Sequence, residues 1–303
     1  MTAGNLALQT EIKTTNPVEF ARVIKDVSRS LGADIIGIAD PALLATEPPE
    51  HRPQSIFPEV KSIIVIGRRI TRGSLRGIEE GTNWQTYHLF GRQWIEDTFL
   101  SRTAFEVTTV IEDNGFEAVP LFSYPLDIKE MGIPLRDGQP APNVLCDPKR
   151  AAVAAGLGFI SRLGEFISPE YGPLMRLSII LTDADIKPDA PLDINYCDGC
   201  SDCVQACPLQ AINGDVASIQ LQDSVRWNEF VFQRAVCKNC QNGAQPSRFV
   251  GSRDIDRIPA ACGRACVASL ERRGLLKKSF HNPFRVRRAW SVNLVGDVNS
   301  GDR

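Results

Sequence analysis

Hydrophobic positions in the first half of the chain follow two periods, and these predict helices packed on buried strands. The first helix begins after Asn16, a cap-type residue followed by proline, and carries apolar residues at helical spacing until Gly32. Two short apolar runs, 35–39 and 62–67, then predict buried strands, with a proline-rich loop between them. The pattern indicates a sheet covered by helices.

The same alternation of helical and strand patterns continues to residue 182. A proline-free stretch, 84–114, has apolar residues at helical spacing and predicts a long helix that Gly91 can interrupt. Strands are predicted at 116–122 and 175–182, and a helix at 149–155. Together these elements predict a mixed α/β domain.

A change in composition divides the chain into three predicted parts. Segment 185–191 contains two prolines and few apolar residues, so it is predicted to be a linker. The predicted parts are a first domain over 1–190, a cysteine-rich domain over 191–270 and a basic C-terminal tail over 271–303.

The overall composition is that of a globular protein, with 303 residues of which 43% are hydrophobic and 23% charged. The formal net charge of −2 gives no general attraction to nucleic acid or to an anionic membrane. No apolar run reaches about 18 residues, and residues 1–16 lack the features of a signal peptide. We therefore predict a cytoplasmic protein that does not contact a membrane.

The nine cysteines add the first indication of chemistry. In a reducing compartment they are not expected to form disulfides, and eight of them lie between Cys197 and Cys266, which indicates metal binding. Cys146 stands apart from this group, and we predict that it is a small buried apolar residue and not a ligand.

The first four of the eight cysteines have the spacing of a bacterial ferredoxin. Cys197, Cys200, Cys203 and Cys207, with Pro208 after them, read C-x2-C-x2-C-x3-C-P. The first three can hold three corners of one [4Fe–4S] cluster, and in two-cluster ferredoxins the fourth binds the other cluster. A zinc site is the alternative, but tetrahedral zinc has no use for the third closely spaced cysteine or for the proline.

Two clusters require eight ligands, and the remaining four cysteines complete that number. By the ferredoxin pattern, one cluster is held by Cys197, Cys200, Cys203 and Cys266, and the other by Cys207, Cys237, Cys240 and Cys262. The 21 residues between Cys240 and Cys262 form an insertion that minimal ferredoxins lack, which could cover a cluster or meet a partner.

Three segments in a fixed order, 154–165, 167–173 and 181–183, precede the linker and the cysteine motif. This combination resembles the corrinoid-dependent reductases, which are the reductive dehalogenases and the epoxyqueuosine reductases, over residues 84–267. The resemblance implies an α/β (α+β) nitroreductase-like cobalamin-binding domain followed by a small ferredoxin-like domain with two clusters. It also implies a small-molecule substrate and an external electron donor such as ferredoxin or flavodoxin.

The resemblance also implies a set of residues that contact the cobalamin. Glycines in this stretch would let the backbone approach a large flat ligand, although ordinary turn glycines at a helix end are the alternative. The predicted cofactor contacts are Gly156, Gly158, Arg162, Gly164, Tyr171 and Gly172.

Two residues are predicted to take part in catalysis. Arg162 lies where the dehalogenases have a basic residue that keeps a tyrosine acidic enough to donate a proton. Tyr87, followed by His88, resembles the tyrosine-histidine pair of the epoxyqueuosine reductases, and is the candidate donor. A tyrosine that only begins a helix is the alternative, and His88 is predicted to be structural.

These features predict a cytoplasmic reductase that passes low-potential electrons through two [4Fe–4S] clusters to a corrinoid. The alternative is an electron-transfer or activator protein that serves a partner corrinoid protein or enzyme. A third hypothesis reads the basic stretch 272–288, with its aromatic residues, as an RNA-binding tail. A surface helix followed by a docking strap is favoured over that reading.

Overall fold

The computed structural model describes residues 16–128, 132–221, 225–285 and 289–299. The helices are α1 Pro17–Ser30, α2 Pro53–Ile56, α3 Arg76–Glu79, α4 Ser101–Glu112, α5 Pro148–Ala154, α6 Asp202–Gln205, α7 Arg234–Cys237 and α8 Ala261–Arg272. The strands are β1 Ile35–Ala39, β2 Ser62–Arg69, β3 Ala118–Leu121, β4 Phe159–Ile160, β5 Phe166–Ile167, β6 Met175–Thr182, β7 Ile212–Leu221, β8 Val225–Phe232, β9 Gln245–Pro246, β10 Ile255–Asp256, β11 Ser291–Val292 and β12 Val298–Asn299.

A four-stranded antiparallel sheet in the order β1-β2-β6-β3 forms the centre of the first domain. Both faces of this sheet are buried, because alternate residues of β2 enter two different cores. Ile63 and Val65 pack on the side covered by α5, while Ile64 and Ile66 pack on the side covered by α1 and α4. Burial on both faces explains the unbroken apolar runs that predicted these strands.

The first helix begins and ends as predicted. The Asn16 side chain accepts hydrogen bonds from the backbone N–H groups of Val18 and Glu19, at 3.0 and 3.3 Å. After the helix, Gly32 adopts a φ of +107°, in the region that favours glycine. Strands β1 and β6 have the predicted bounds, and β3 is shorter than its predicted range.

The predicted long helix is continuous through Gly91, but its first part is wound more widely than an α-helix. Two π-helical segments, Tyr87–Gln93 and Ile95–Leu100, lead into α4. The predicted interruption at Gly91 is therefore wrong. A β-carbon at this position would lie 2.5 Å from the Tyr87 ring, so glycine here makes room for that ring inside the helix.

The cysteine-rich part is built from short helices and a hairpin of strands β7 and β8. Its last helix, α8, carries two of the cysteines and runs past the predicted boundary at residue 270. Within the described residues, no helix is long and apolar enough to cross a membrane. Cys146 lies in the hydrophobic core beside the sheet, as predicted.

The described part of the C-terminal tail packs on the first domain. We call Phe284, Arg285 and residues 289–292 the C-terminal strap. Phe284 is buried, Arg285 pairs with Glu79 at 2.9 Å, and the Trp290 indole donates a 2.6 Å hydrogen bond to the Ile78 carbonyl. These contacts agree with the docking strap, but the surface helix predicted before it is not found, since the described residues 273–285 contain no helix. Two basic residues on which the RNA hypothesis rested, Arg287 and Arg288, lie outside the described residues.

Candidate redox site

The first predicted cysteine set surrounds one cavity. Its walls enclose about 430 Å³ of space outside protein atoms, part of it open to solvent, and include Cys197, Cys200, Cys203 and Cys266. Cys197 and Cys200 lie on one tight turn, in which the Cys200 N–H donates to the Cys197 carbonyl at 3.1 Å. Gly199 makes this turn with a φ of +69°.

Charged groups around the first cavity lie near solvent and have partners. The Arg162 guanidinium is 3.9 Å from the Asp198 carboxylate, which is 75% exposed. Asp202 pairs with Arg272 at 2.6 Å, and the exposed Arg273 donates to the Tyr196 carbonyl at 2.8 Å. Opposite charges and water therefore both weaken the field at this cavity.

The second predicted set surrounds a separate cavity. Cys207, Cys237, Cys240 and Cys262 lie in its walls, which enclose about 380 Å³. Among the described residues of this lining, Arg257 is the one charged residue apart from the cysteines, and the others are apolar. Cys237 and Cys262 are buried and the other two cysteines of this set are partly exposed, whereas all four cysteines of the first set are partly exposed.

Two cysteines connect the cavities by crossing from one sequence motif to the other. Cys207 follows the first three cysteines in the chain but lines the second cavity, while Cys266 lies one helical turn after Cys262 in α8 and lines the first. One helix thus contributes a sulfur to each cavity. Among the described residues, no group of three or more His, Cys, Asp or Glu side chains is arranged to hold a single metal ion.

Burial controls the protonation of the sulfurs. Burial, together with the smaller effect of the neighbouring Cys197 and Cys200, raises the pKa of the Cys203 thiol to about 12. Burial likewise raises the pKa of Cys262 and Cys266 above the ordinary range of a thiol. The thiolate is the form that binds iron, so loading these sites must release protons.

Tyr87 lies in a buried polar network that joins the first domain to the insertion between Cys240 and Cys262. Its hydroxyl donates to the Asp256 carboxylate at 2.9 Å and accepts from the Arg176 guanidinium at 2.9 Å. Arg176 also pairs with Asp256 and, at 3.2 Å, with Glu96. Burial raises the pKa of Tyr87 well above its ordinary value, although the Arg176 charge opposes this shift.

The basic residue beside Tyr87 is therefore Arg176 and not Arg162. Arg162 lines the first cysteine cavity, where its guanidinium lies over the Phe230 ring at 6.0 Å and near Asp198. The predicted pairing of Tyr87 with Arg162 is not found. Arg162 follows strand β4 and lines the cysteine cavity, whereas Tyr87 contacts Arg176 at the start of strand β6. Sequence reasoning also missed Asp256, whose only signal was its position in the unusual insertion.

The predicted cofactor glycines face protein atoms. A β-carbon at Gly158 would lie 2.0 Å from the Ile167 carbonyl oxygen, and one at Gly156 would lie 2.3 Å from the Ala190 carbonyl oxygen. These close contacts require glycine even when no ligand is bound. The alternative, that these are ordinary turn glycines, therefore accounts for them. Gly164 and Gly172 adopt positive φ values beside Glu229 and Leu270, and Tyr171 lies under the Arg69 guanidinium. Contact with a cofactor stays a prediction for these residues.

Comparison with known proteins gives matches to two kinds of reductase. No protein-family model matches the chain. It is 25% identical over 235 residues to a tetrachloroethene reductive dehalogenase of Sulfurospirillum multivorans. Over 64 residues it is 44% identical to an epoxyqueuosine reductase of Lactococcus garvieae. The chain is similar to both groups that its motifs resemble. That predicted resemblance is thus confirmed, at modest identity.

The matches cover only part of each relative. The two alignments span 66% and 21% of this chain, and 42% and 18% of the respective relatives. A solved structure described as a reductive dehalogenase with B12-dependent dehalogenation matches 90% of this chain and 40% of its own, at 17% identity and a TM-score of 0.49. The chain therefore spans less than half the length of each of these three relatives.

Proposed function

We propose that this protein is an iron–sulfur oxidoreductase that passes single electrons through two [4Fe–4S] clusters to a corrinoid, which reduces a small organic substrate. Its relatives in both groups are reductases, which supports the reductase role. The proposed cofactors, two [4Fe–4S] clusters and cobalamin, match those of the relatives. The cobalamin part of the proposal rests on these relatives and not on the glycine contacts.

The observation that carries the proposal is the pair of cysteine-lined cavities. Each cavity has four cysteine sulfurs in its walls, in the same two sets that the ferredoxin spacing predicts. Clusters held there would supply one-electron transfer at potentials that can reach about −700 mV. The short step along α8 from Cys262 to Cys266 supports transfer between the two positions.

The burial of the two sets supports a direction of electron entry. Cys197, Cys200 and Cys203 are each partly exposed, whereas Cys237 and Cys262 are buried. An external donor such as ferredoxin or flavodoxin would therefore deliver electrons at the first cavity. Arg162 and Arg273 border that cavity and could orient an acidic donor surface.

In this proposal Tyr87 is the proton donor and Arg176 is the cation that favours its ionised form. Arg162 keeps a different role at the first cavity. Tyr87 is fully buried, and its hydroxyl is already bonded to Asp256 and Arg176, so a substrate would reach it only after this network opens.

That burial favours a second candidate function, an electron-transfer or activator protein that serves a partner corrinoid protein or enzyme. In such a protein the two cavities would keep their role, while Tyr87 and Arg176 would hold the insertion against the first domain. The Tyr87→Phe substitution distinguishes the candidates, because it would abolish proton donation but leave electron transfer unchanged.

Anaerobic reconstitution with iron, sulfide and added cobalamin tests both candidates. The reductase proposal expects about eight irons per chain, four for each cubane, together with bound corrin visible in the ultraviolet–visible spectrum. Clusters without corrin binding would support the electron-transfer candidate. A protein that takes up no iron would refute both.

A further inference from the structure

The surroundings of the two cavities differ in a way that bears on electron transfer. Adding an electron to a [4Fe–4S] cluster adds negative charge, which an apolar and dry cavity disfavours. The second cavity has the more apolar lining, so that lining alone would make a cluster there hard to reduce. Two buried polar groups act against this effect.

The first group is the guanidinium of Arg257, which enters the second cavity from the insertion. It lies over the Phe232 ring at 4.5 Å and lines the cavity together with Cys237. Among the described residues its Nε, which is buried, has no hydrogen-bond partner. The carboxylates of Glu165 and Asp254 also act on this guanidinium, and Glu165 is paired in addition with Lys149 at 2.9 Å.

The second group is the side-chain amide of Asn242, which is fully buried. Its Nδ2 lies 3.8 Å from the Cys240 sulfur, within hydrogen-bond range for sulfur. The C-terminal strap determines which end of the amide faces that sulfur. The Val292 N–H donates to Oδ1, and Nδ2 donates to the Val292 carbonyl at 2.8 Å, so the amide cannot turn over without losing both bonds.

We propose that Arg257 and Asn242 raise the reduction potential of the cluster held by Cys207, Cys237, Cys240 and Cys262, and that Val292 of the strap is a positioning residue for Asn242. The inference rests on the proposed function, since it requires that both clusters are present. The step is the uptake of one electron from an external low-potential reductant, and no bond or proton changes place. A positive charge and an N–H dipole aimed at the sulfurs stabilise the added electron.

The first cavity also has a buried polar group near a cysteine sulfur, since Ser269 Oγ lies 3.7 Å from the Cys200 sulfur. Its charges are arranged differently. Among the described residues of its lining, Arg162 faces the exposed Asp198 carboxylate, and Asp202 is paired with Arg272. Removal of one of these charges should therefore have little effect on the reduction potential of the cluster in the first cavity. The two clusters are thus expected to respond differently to the same type of substitution.

Anaerobic redox titration of the reconstituted protein with dithionite, followed by electron paramagnetic resonance, measures the potential of each cluster. In Arg257→Met the transition of the second cluster should move to lower potential, while the transition of the first cluster should keep its wild-type potential. The expected change is about tenfold or more in the reduced-to-oxidised ratio at a fixed potential, which is 59 mV for one electron. Arg257→Lys should restore much of the shift.

Further variants test whether Arg257 and Asn242 set the reduction potential of the cluster or only hold the structure together. Arg253→Met removes an exposed arginine of the same insertion and should change neither transition. Asn242→Asp, which replaces the N–H with an oxygen, should lower the same transition as Arg257→Met. Val292→Pro removes the N–H that holds Asn242 and should act in the same direction.

The outcomes distinguish the inference from the proposed function. If Arg257→Met and Asn242→Asp retain about eight irons per chain but leave both transitions at their wild-type potentials, the inference is overturned and the proposed function stands. If the wild-type protein binds no iron, the proposed function fails and the inference fails with it. If Arg257→Met does not fold, the result for Asn242→Asp decides.

Discussion

Glu79 is the carboxylate on which the contact between α8 and the C-terminal strap depends. It accepts from Arg264 Nε at 2.6 Å and from Arg285 Nε at 2.9 Å, and its side chain is 4% exposed. Arg264 is completely buried between Cys262 and Cys266, with its remaining bonds made to the carbonyls of Asn242 and Pro259. Glu79→Gln would keep the shape and leave two guanidinium groups without their counter-charge.

We expect this substitution to lower the free energy of unfolding by about 3–5 kcal/mol, the usual cost of breaking a buried ion pair from one side. The neighbouring Glu80 provides a matched control. It pairs with Arg76 at 3.3 Å on the surface, and Glu80→Gln should cost about 0–1 kcal/mol because an exposed pair contributes little.

Urea denaturation followed by far-ultraviolet circular dichroism measures both variants on protein with the same iron content. The difference in tryptophan fluorescence between each variant and the same variant carrying Trp290→Phe reports the strap among the four tryptophans, because the Trp290 indole lies 5.3 Å from the Arg264 guanidinium. If Glu79→Gln is no less stable than Glu80→Gln, the charge on Glu79 does not hold α8 and the strap together, and the reasoning from burial is wrong.

Two further predictions concern Tyr87 and Gly158. Because burial raises the pKa of Tyr87 in the folded protein, its contribution to stability is complete below the unfolded value of about 10 and is lost as pH rises above it. Tyr87→Phe should therefore flatten the alkaline decrease in stability, and an unchanged decrease would contradict this assignment. Gly158→Ala should destabilise the fold by about 1–3 kcal/mol through its clash with the Ile167 carbonyl. Gly73→Ala has no neighbour within 4 Å and serves as its control in the same melting experiment.

Local patterns in the sequence were sufficient to predict the four strands of the central sheet, the first helix and the grouping of the eight cysteines into two sets. Strand β6 is recognised from a short apolar run, and the cap at Asn16 from hydrogen bonds within three residues. The ferredoxin spacing can likewise be recognised within one short segment, which contains Cys197, Cys200, Cys203 and Cys207. Interactions of this range can be read from neighbours in the chain.

Only the tertiary structure decided which charged and polar residues meet in the interior. Arg176 and Asp256 reach Tyr87 from positions 89 and 169 residues away, and Glu79 reaches Arg264 across 185 residues. Such pairs have no local period, because their partners depend on how the insertion and the strap pack on the first domain. The same packing places Arg162 at a cysteine cavity and Arg176 beside Tyr87. The sequence alone cannot distinguish these two positions, because both residues are arginines with the same chemistry.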